Sequence, residues 1–308
     1  MTTLLDMIDE VSMNLSGYTL QQDRATHITA NVPATTSTIA APINLSLAST
    51  DSVGKGIVEI DEELFWIDNY DRVGNTATIA PYGRAYLGTT LAAHTAGTKV
   101  TIAPTFPRFV IKRAINDTIK AIGSSIFAAK KTTITSNLAT SAFRLPATGD
   151  SLNIRSILAV AYEAIGPSKE WIPIRNYRFD GNANSTAFTS EQTISIYDMI
   201  TSGRTIQVVY STDPVPFTSN TEVFTTQTGL PESCKDLVVL GATYRLLSNL
   251  DPARASMVSP QADETDSKRP YGSSQSLTKQ VYALFNQRLN EEIKNQQDKY
   301  PIRVHYSL

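Results

Sequence analysis

Apolar residues recur at helical spacing in four separate stretches of the chain and at strand spacing between them. Leu4, Ile8, Val11 and Leu15 predict an opening helix, with Thr2 or Thr3 supplying the cap oxygen and Gly17 the stop. Ile111, Ile115, Ile119, Ile122 and Ile126 predict the clearest helix, entered at Pro107, where a missing N–H leaves no bond unmade. A third helix opens at Pro231, with Leu237, Leu240, Tyr244 and Leu247 on one face. A fourth runs from about Ser276 to Tyr300, with Leu277, Val281, Leu284, Arg288, Leu289 and Ile293 near one face. Its last turn carries Lys294 and Lys299, as the helix dipole favours, and Pro301 ends it.

Between these helices the spacing falls to two. Residues 18–50, rich in Thr, Ser, Ala and Pro, give extended chain or short strands. Ile57–Ile60 and Leu64–Ile67 flank Asp61-Glu62-Glu63 as a hairpin with a three-residue loop, and Thr76–Ile79 and Lys99–Ile102 add strands. Gly74-Asn75 and Ala96-Gly97 read as turns. A second strand-rich stretch covers Ala142–Leu145, Ile154–Tyr162, Trp171–Phe179, Thr193–Tyr197 and Thr205–Tyr210, the signature of a sandwich or barrel. Residues 251–275 are polar, hold three prolines and read as a long loop. The predicted class is α+β: a four-helix core (1–16, 106–130, 231–300) interrupted by two antiparallel β domains. The first (17–105) is small and hairpin-rich, the second (131–230) is β-sandwich-like, and residues 301–308 form a C-terminal tail.

Charge changes this picture locally. The net charge is only −2, too little for wrapping nucleic acid nonspecifically. Residues 1–105 nevertheless hold 5 basic and 11 acidic side chains, while 106–130 hold 5 and 1. The positive charge therefore gathers on one helix beside an acidic domain. No apolar run spans a membrane, and the acidic, periodic N-terminus reads as the start of a soluble, cytoplasmically made protein. The single cysteine, Cys234, excludes an intrachain disulfide and reads as a small buried residue at a helix start.

Candidate chemistry is sparse. There is no phosphate loop, dinucleotide fingerprint or paired-His helix, and no cofactor or metal is expected. His27, His94 and His305 lie in three different modules, and His94 reads as a hydrogen-bonded loop histidine. The acidic group Glu59, Asp61, Glu62, Glu63 and Asp68 reads as solvated charge at a hairpin tip, with an electrostatic contact to a basic partner as the alternative. Arg108, Lys112, Arg113 and Lys120 give one helix a basic face that reads either as a solvated polar face or as a contact surface for DNA phosphate or an acidic neighbour. The tail alternates, with Ile302, Val304, Tyr306 and Leu308 on one side and Arg303 and His305 on the other. Such a segment suits strand addition to another polypeptide, with folding back on its own sheet or fraying in solution as the alternatives.

One stretch resembles a known family. Ile60-Asp61-Glu62-Glu63-Leu64, then the run from Pro81-Tyr82-Gly83-Arg84-Ala85-Tyr86-Leu87-Gly88-Thr89-Thr90 to His94 and Gly97, and Phe106-Pro107-Arg108 leading into Ala114-Ile115-Asn116-Asp117 resemble head-to-tail adaptor (connector) proteins of tailed bacteriophages. The family's Gly-Arg-Gly-Tyr here reads Gly83-Arg84-Ala85-Tyr86, which bears on the turn conformation. The resemblance implies a homo-oligomeric ring, typically of twelve copies, at the neck of the virion. It would join the portal protein to the next neck or tail protein and line the channel through which DNA passes without sequence-specific binding. It further implies that the tail reaches into the portal. Two other readings compete: a baseplate or fibre-associated module that binds host cell-surface carbohydrate, and a tail-associated hydrolase using the carboxylates of Asp61 to Glu63.

Overall fold

A computed structural model describes residues 2–17, 23–34, 40–137, 140–146, 153–166, 169–184, 186–188, 190–248 and 273–301. Among the described residues are five α-helices and thirteen strands, so the chain is α+β with antiparallel sheets. It divides into two compact units. One comprises Leu5–Ile115 and Val239–Val281, the other Met1–Leu4, Asn116–Val238 and Tyr282–Leu308. The boundaries run through the four long helices rather than grouping them apart.

The first unit holds most of α1 (Leu4–Ser16), which buries Met7, Ile8, Val11 and Leu15 as its spacing predicts. Its six strands are β1 (Arg24–His27), β2 (Ile43–Ser46), β3 (Gly56–Ile60), β4 (Glu63–Asp71), β5 (Thr76–Ile79) and β6 (Lys99–Ile102). They are ordered β1-β6-β3-β4-β5-β2. The two outer strands then meet: Ile28 bridges Leu47, Thr29 N–H donates to Ser46 O, and Ala48 N–H donates to His27 O. The sheet thus closes into a small barrel around Val58, Ile60, Phe65, Ile67, Ile79 and Val100, and closure removes its exposed edges. Ile60 pairs with Glu63, so the β3–β4 connection is Asp61-Glu62 alone rather than three residues, and Asp61 takes a φ of 56°. A two-residue hairpin requires that left-handed twist.

The helix α2 (Arg108–Ile122) buries Ile111, Ile115, Ile119 and Ile122. It stops earlier than predicted. Gly123 approaches the Pro214 ring so closely that a Cβ there would lie 3.0 Å from Cδ, and Ile126 is buried in the turn that follows. The chain then enters β7 (Ala128–Thr135), a strand that the sequence pattern does not announce.

In the second unit, β8 (Ala142–Arg144), β9 (Ile154–Glu163), β10 (Trp171–Pro173), β11 (Tyr177–Asp180), β12 (Thr193–Ile196) and β13 (Thr205–Thr212) join β7. They form two sheets, β10-β9-β13-β7 and β11-β12-β8. Both contribute to one core that includes Ile134, Val160, Ile194, Ile196, Ile206 and Val208, so the expected sandwich is present. Trp171–Phe179 is two strands rather than one. A one-turn helix, α3 (Phe224–Thr228), raises the helix count above the predicted four and ends at Gly229 with φ 72°. The N-terminus is stitched beside it: Thr3 bridges Val223, and Phe224 N–H donates to Thr2 O.

The last two helices are α4 (Lys235–Leu247), preceded by a 3-10 turn at Glu232–Cys234, and α5 (Ser273–Lys299). Val238, Val239, Ala242 and Leu246 are buried as well as Leu237 and Leu247, so α4 is covered on more than one face. In α5 the buried positions are Val281, Phe285 and Glu292, while Leu284 is exposed. The inward face is therefore rotated from the predicted one.

Candidate functional site

The turn-rich segment after β5 is fastened to the barrel by one carboxylate. Glu63 begins β4, and its side chain is fully buried. Its Oε1 accepts from Arg84 Nε at 3.0 Å and Ala85 N–H at 3.1 Å. Its Oε2 accepts from Arg84 Nη2 at 3.0 Å, Ala92 N–H at 2.9 Å and His94 Nε2 at 2.9 Å. Burial alone would raise the Glu63 pKa, but the bonds from His94, Arg84 and the two backbone donors outweigh it and hold the group at about 2.

His94 turns its other nitrogen, Nδ1, toward Asp61 Oδ2 at 2.7 Å. With a carboxylate at each ring nitrogen the imidazole is stabilised in its doubly protonated form, and its pKa is raised although burial opposes the shift. Arg84 also donates from Nη1 to the carbonyl of Pro33 and from Nη2 to that of Ala92, and it lies over the Phe65 ring. The four charged groups Asp61, Glu63, Arg84 and His94 neutralise one another in a clasp.

What the clasp positions is a strained surface segment. Tyr82, Ala85 and Leu87 all have positive φ (58°, 49° and 55°). Ala85 thus takes the left-handed conformation that suits glycine, held there by its N–H bond to Glu63. Gly83 has no room for a side chain, because a Cβ would meet the carbonyl oxygens of Ala80 and Trp66 at 2.8 Å each. Tyr82 and Leu87 project outward, 71% and 64% exposed, and Trp66 packs against Tyr86 with ring centroids 5.4 Å apart. The result is an exposed apolar platform on a rigid support.

The expectation that the acidic group is solvated at a hairpin tip is corrected here for three of its five members. Glu63 and Glu59 are buried and Glu62 pairs with Lys112 at 3.1 Å, while Asp61 and Asp68 stay exposed, Asp68 in an ion pair with Lys55. Glu59 accepts the N–H of Arg108 at 2.5 Å at the start of α2. Burial pushes its pKa up to about 7, with Asp23 adding to the shift. The N–H groups of Arg108 and Phe109 and the Arg108 charge pull the other way.

The basic candidates Arg108 and Lys112 therefore meet acidic groups of their own chain. Arg108 bonds Asp9 at 2.7 Å and Lys112 bonds Glu62, so reversing their charge perturbs this unit directly. Arg113 and Lys120 occupy exposed positions on α2. Ile302, Arg303, Val304, His305, Tyr306 and Leu308 lie outside the described residues.

A second feature, in the other unit, escaped the sequence reading. The end of α5 borders a cleft of about 380 Å³ lined by Phe127, Leu230, Cys234, Glu292, Gln296 and Tyr300 among others. Gln296 binds both backbone groups of Phe127: its Oε1 accepts the N–H at 3.1 Å and its Nε2 donates to the carbonyl at 2.7 Å. The Tyr300 ring packs on Phe127 with centroids 5.8 Å apart. Glu292 accepts from Arg288 at 3.0 Å and from Ser233 at 3.2 Å. Burial, then the nearby Glu292 carboxylate, push the Cys234 thiol up to about 12, which leaves it unreactive at neutral pH. Among the described residues no His, Cys, Asp and Glu cluster could hold a metal ion, and no helix is long and apolar enough to cross a membrane.

Against known proteins, the family profile described as SU10 adaptor protein matches residues 84–305, well over half of the chain. The match takes in Arg84 and His94 of the clasp and everything from α2 to the tail. No curated protein matches the chain.

Proposed function

The chain belongs to the SU10 adaptor protein family of phage structural proteins, and from that premise we propose that it forms the ring joining portal to tail at the neck of the virion. The observation that carries this reading is the match over residues 84–305. Several copies, typically twelve, would surround the DNA channel with their long helices. Modest net charge suits such a conduit, since a wall that gripped DNA would slow its passage. On this reading the exposed α2 positions Arg113 and Lys120 would contribute to a contact with DNA phosphate or an acidic neighbour.

The enzymatic reading asked the carboxylates of Asp61 to Glu63 to trade protons. Glu63 is poorly suited to that work, being sealed from solvent and held ionised by five donors. The carbohydrate reading has one observation in its favour, the exposed rings of Trp66 and Tyr82, because such faces stack on sugars. The readings separate in one experiment. Purified chain is incubated with tail-less capsids bearing portal, and the mass of free and capsid-bound species is measured. A ring adaptor binds capsids as a multiple of 33.6 kDa. A chain that stays monomeric, ignores capsids and binds cell-wall glycan would overturn the proposal.

A further inference from the structure

The joint between the barrel and α2 is held by polar bonds more than by packing. Residues Ala103-Pro104-Thr105-Phe106-Pro107 separate the end of β6 from the start of α2. From Ala103 to Val110 no residue is fully buried, and the first core residue of the helix is Ile111. Ala103, at φ 49°, donates its N–H to Ile57 O at 3.0 Å, and Thr105 N–H donates to Asp23 Oδ1 at 3.2 Å.

Glu59 closes this joint. Val58 and Ile60 on either side of it belong to the barrel core, so strand alternation turns Glu59 to the outer wall. It is nevertheless only 4% exposed, because the start of α2 lies over it. A helix begins with four N–H groups that have no helical partner. Here Pro107 has no N–H, Val110 gives its own to Pro107 O, and Arg108 and Phe109 give theirs to Glu59. The charged groups that face Glu59 are Arg108 on α2, which Asp9 of α1 shares at 2.7 Å, and Asp23 just before β1. Beside them Glu62 and Lys112 neutralise each other at 3.1 Å.

We propose that this joint is a hinge latched by protonated Glu59: when the proton leaves, the first turn of α2 lifts from the barrel wall and the barrel turns on residues 103–107. Every group involved lies within one compact unit, so the hinge is independent of the ring reading. Its direction follows from solvation. A covered, ionised Glu59 keeps its two N–H donors but loses its water, and burial outweighs the donors and the Arg108 charge, holding the carboxyl at about 7. Lifted into water, the same group ionises near its ordinary 4.5. Opening therefore releases a proton between about pH 4.5 and 7, becomes easier across that window and levels off above it.

Amide hydrogen exchange, followed by NMR on the full chain from pH 5 to pH 8, tests this. Each rate is divided by the chemical rate of an unstructured amide at the same pH. One linked proton with these two values makes the opening of Arg108 and Phe109 rise by roughly 70-fold over the range. Both amides should also open at least about tenfold more often than those of β3 and β6, as a local motion requires. Glu59→Gln should make their opening independent of pH. Asp23→Asn, which removes the opposing charge and keeps the acceptor for Thr105, should shrink the rise. A parent whose Arg108 and Phe109 opening stays flat with pH would overturn the latch, because Glu59 then ionises in place. Opening no more frequent than that of the β3 amides would overturn the hinge, since barrel and helix then part only on unfolding. A rise that persists in Glu59→Gln would assign the proton to another group and remove the proposal.

Discussion

Replacing Glu63 by Gln keeps the shape of the clasp and removes its charge. A carboxyl held at about 2 against an ordinary 4.5 has its ionised form favoured by about 3 kcal/mol. Removing one member of a buried ion pair costs about 3–5 kcal/mol, because the partner is left charged and uncompensated. The two routes agree, and the loss is large beside a total stability of roughly 5–15 kcal/mol. The amide can satisfy at most some of the five donors, since its nitrogen turns a donor toward Arg84, Ala85 or His94. Urea unfolding followed by tryptophan emission is the assay. The chain has two tryptophans, Trp66 in the barrel and Trp171 in the sandwich, so a Trp171→Phe background makes the signal report the barrel. Because the Glu63 pKa is lowered, its contribution is present above about 4.5 and is lost as pH falls toward 2. The difference between parent and variant should therefore shrink from pH 6 to pH 3. A loss below about 1 kcal/mol at pH 6, no more than an ordinary hydrogen bond, would refute the clasp.

Three further outcomes follow from the same unit. Ala85→Gly should stabilise the barrel by about 0.5–1 kcal/mol, because glycine takes the left-handed conformation without strain; a destabilised variant in the same urea assay would contradict that. Gly83→Ala should cost about 1–3 kcal/mol through its clash with two carbonyl oxygens, and near-parental unfolding would show that the segment yields. The raised pKa values of Glu59 and His94 make folding tighter when these groups are protonated. Their stabilisation is full below 4.5 and 6.5 respectively and is lost as pH rises, through about 7 for Glu59. Calorimetric melting temperatures should accordingly peak near pH 4.5 and decline above it, and Glu59→Gln should flatten that decline; a flat parental profile would exclude this.

Periodicity revealed the elements that bury one face at a time. The Ile111 to Ile122 stripe, the β3–β4 hairpin and most sandwich strands stand where alternation or helical spacing placed them. The strand β7 is illegible because Ala-Ala-Lys-Lys-Thr-Thr shows no apolar alternation, and its inward positions before Ile134 are small or polar. On α5, Leu284 and Phe285 stand side by side, and spacing alone could not say which turns inward. The clasp was half visible. The sequence marks His94 as a bonded loop residue, but the partners of Glu63 lie 21 and 31 positions away, and the local charge density has the pattern of solvated surface. Its available signal was Arg84, a cation in a turn otherwise built from Gly, Thr and aromatic residues.

The closed barrel also sets an order of events during synthesis. Strand β1 ends at His27, and its partner β6 spans Lys99–Ile102. At about 5–20 residues per second the ribosome takes roughly 4–15 s to make the intervening chain. For that time the first strand has emerged without its ladder partner, meeting at most the end of β2 through His27 and Ile28. Arg24-Ala25-Thr26-His27 is exposed or half-buried even in the finished fold, and the residues up to position 50 are largely Ser, Thr, Ala and Pro. The lack of apolar periodicity that made this stretch hard to read thus gives a waiting segment little with which to aggregate.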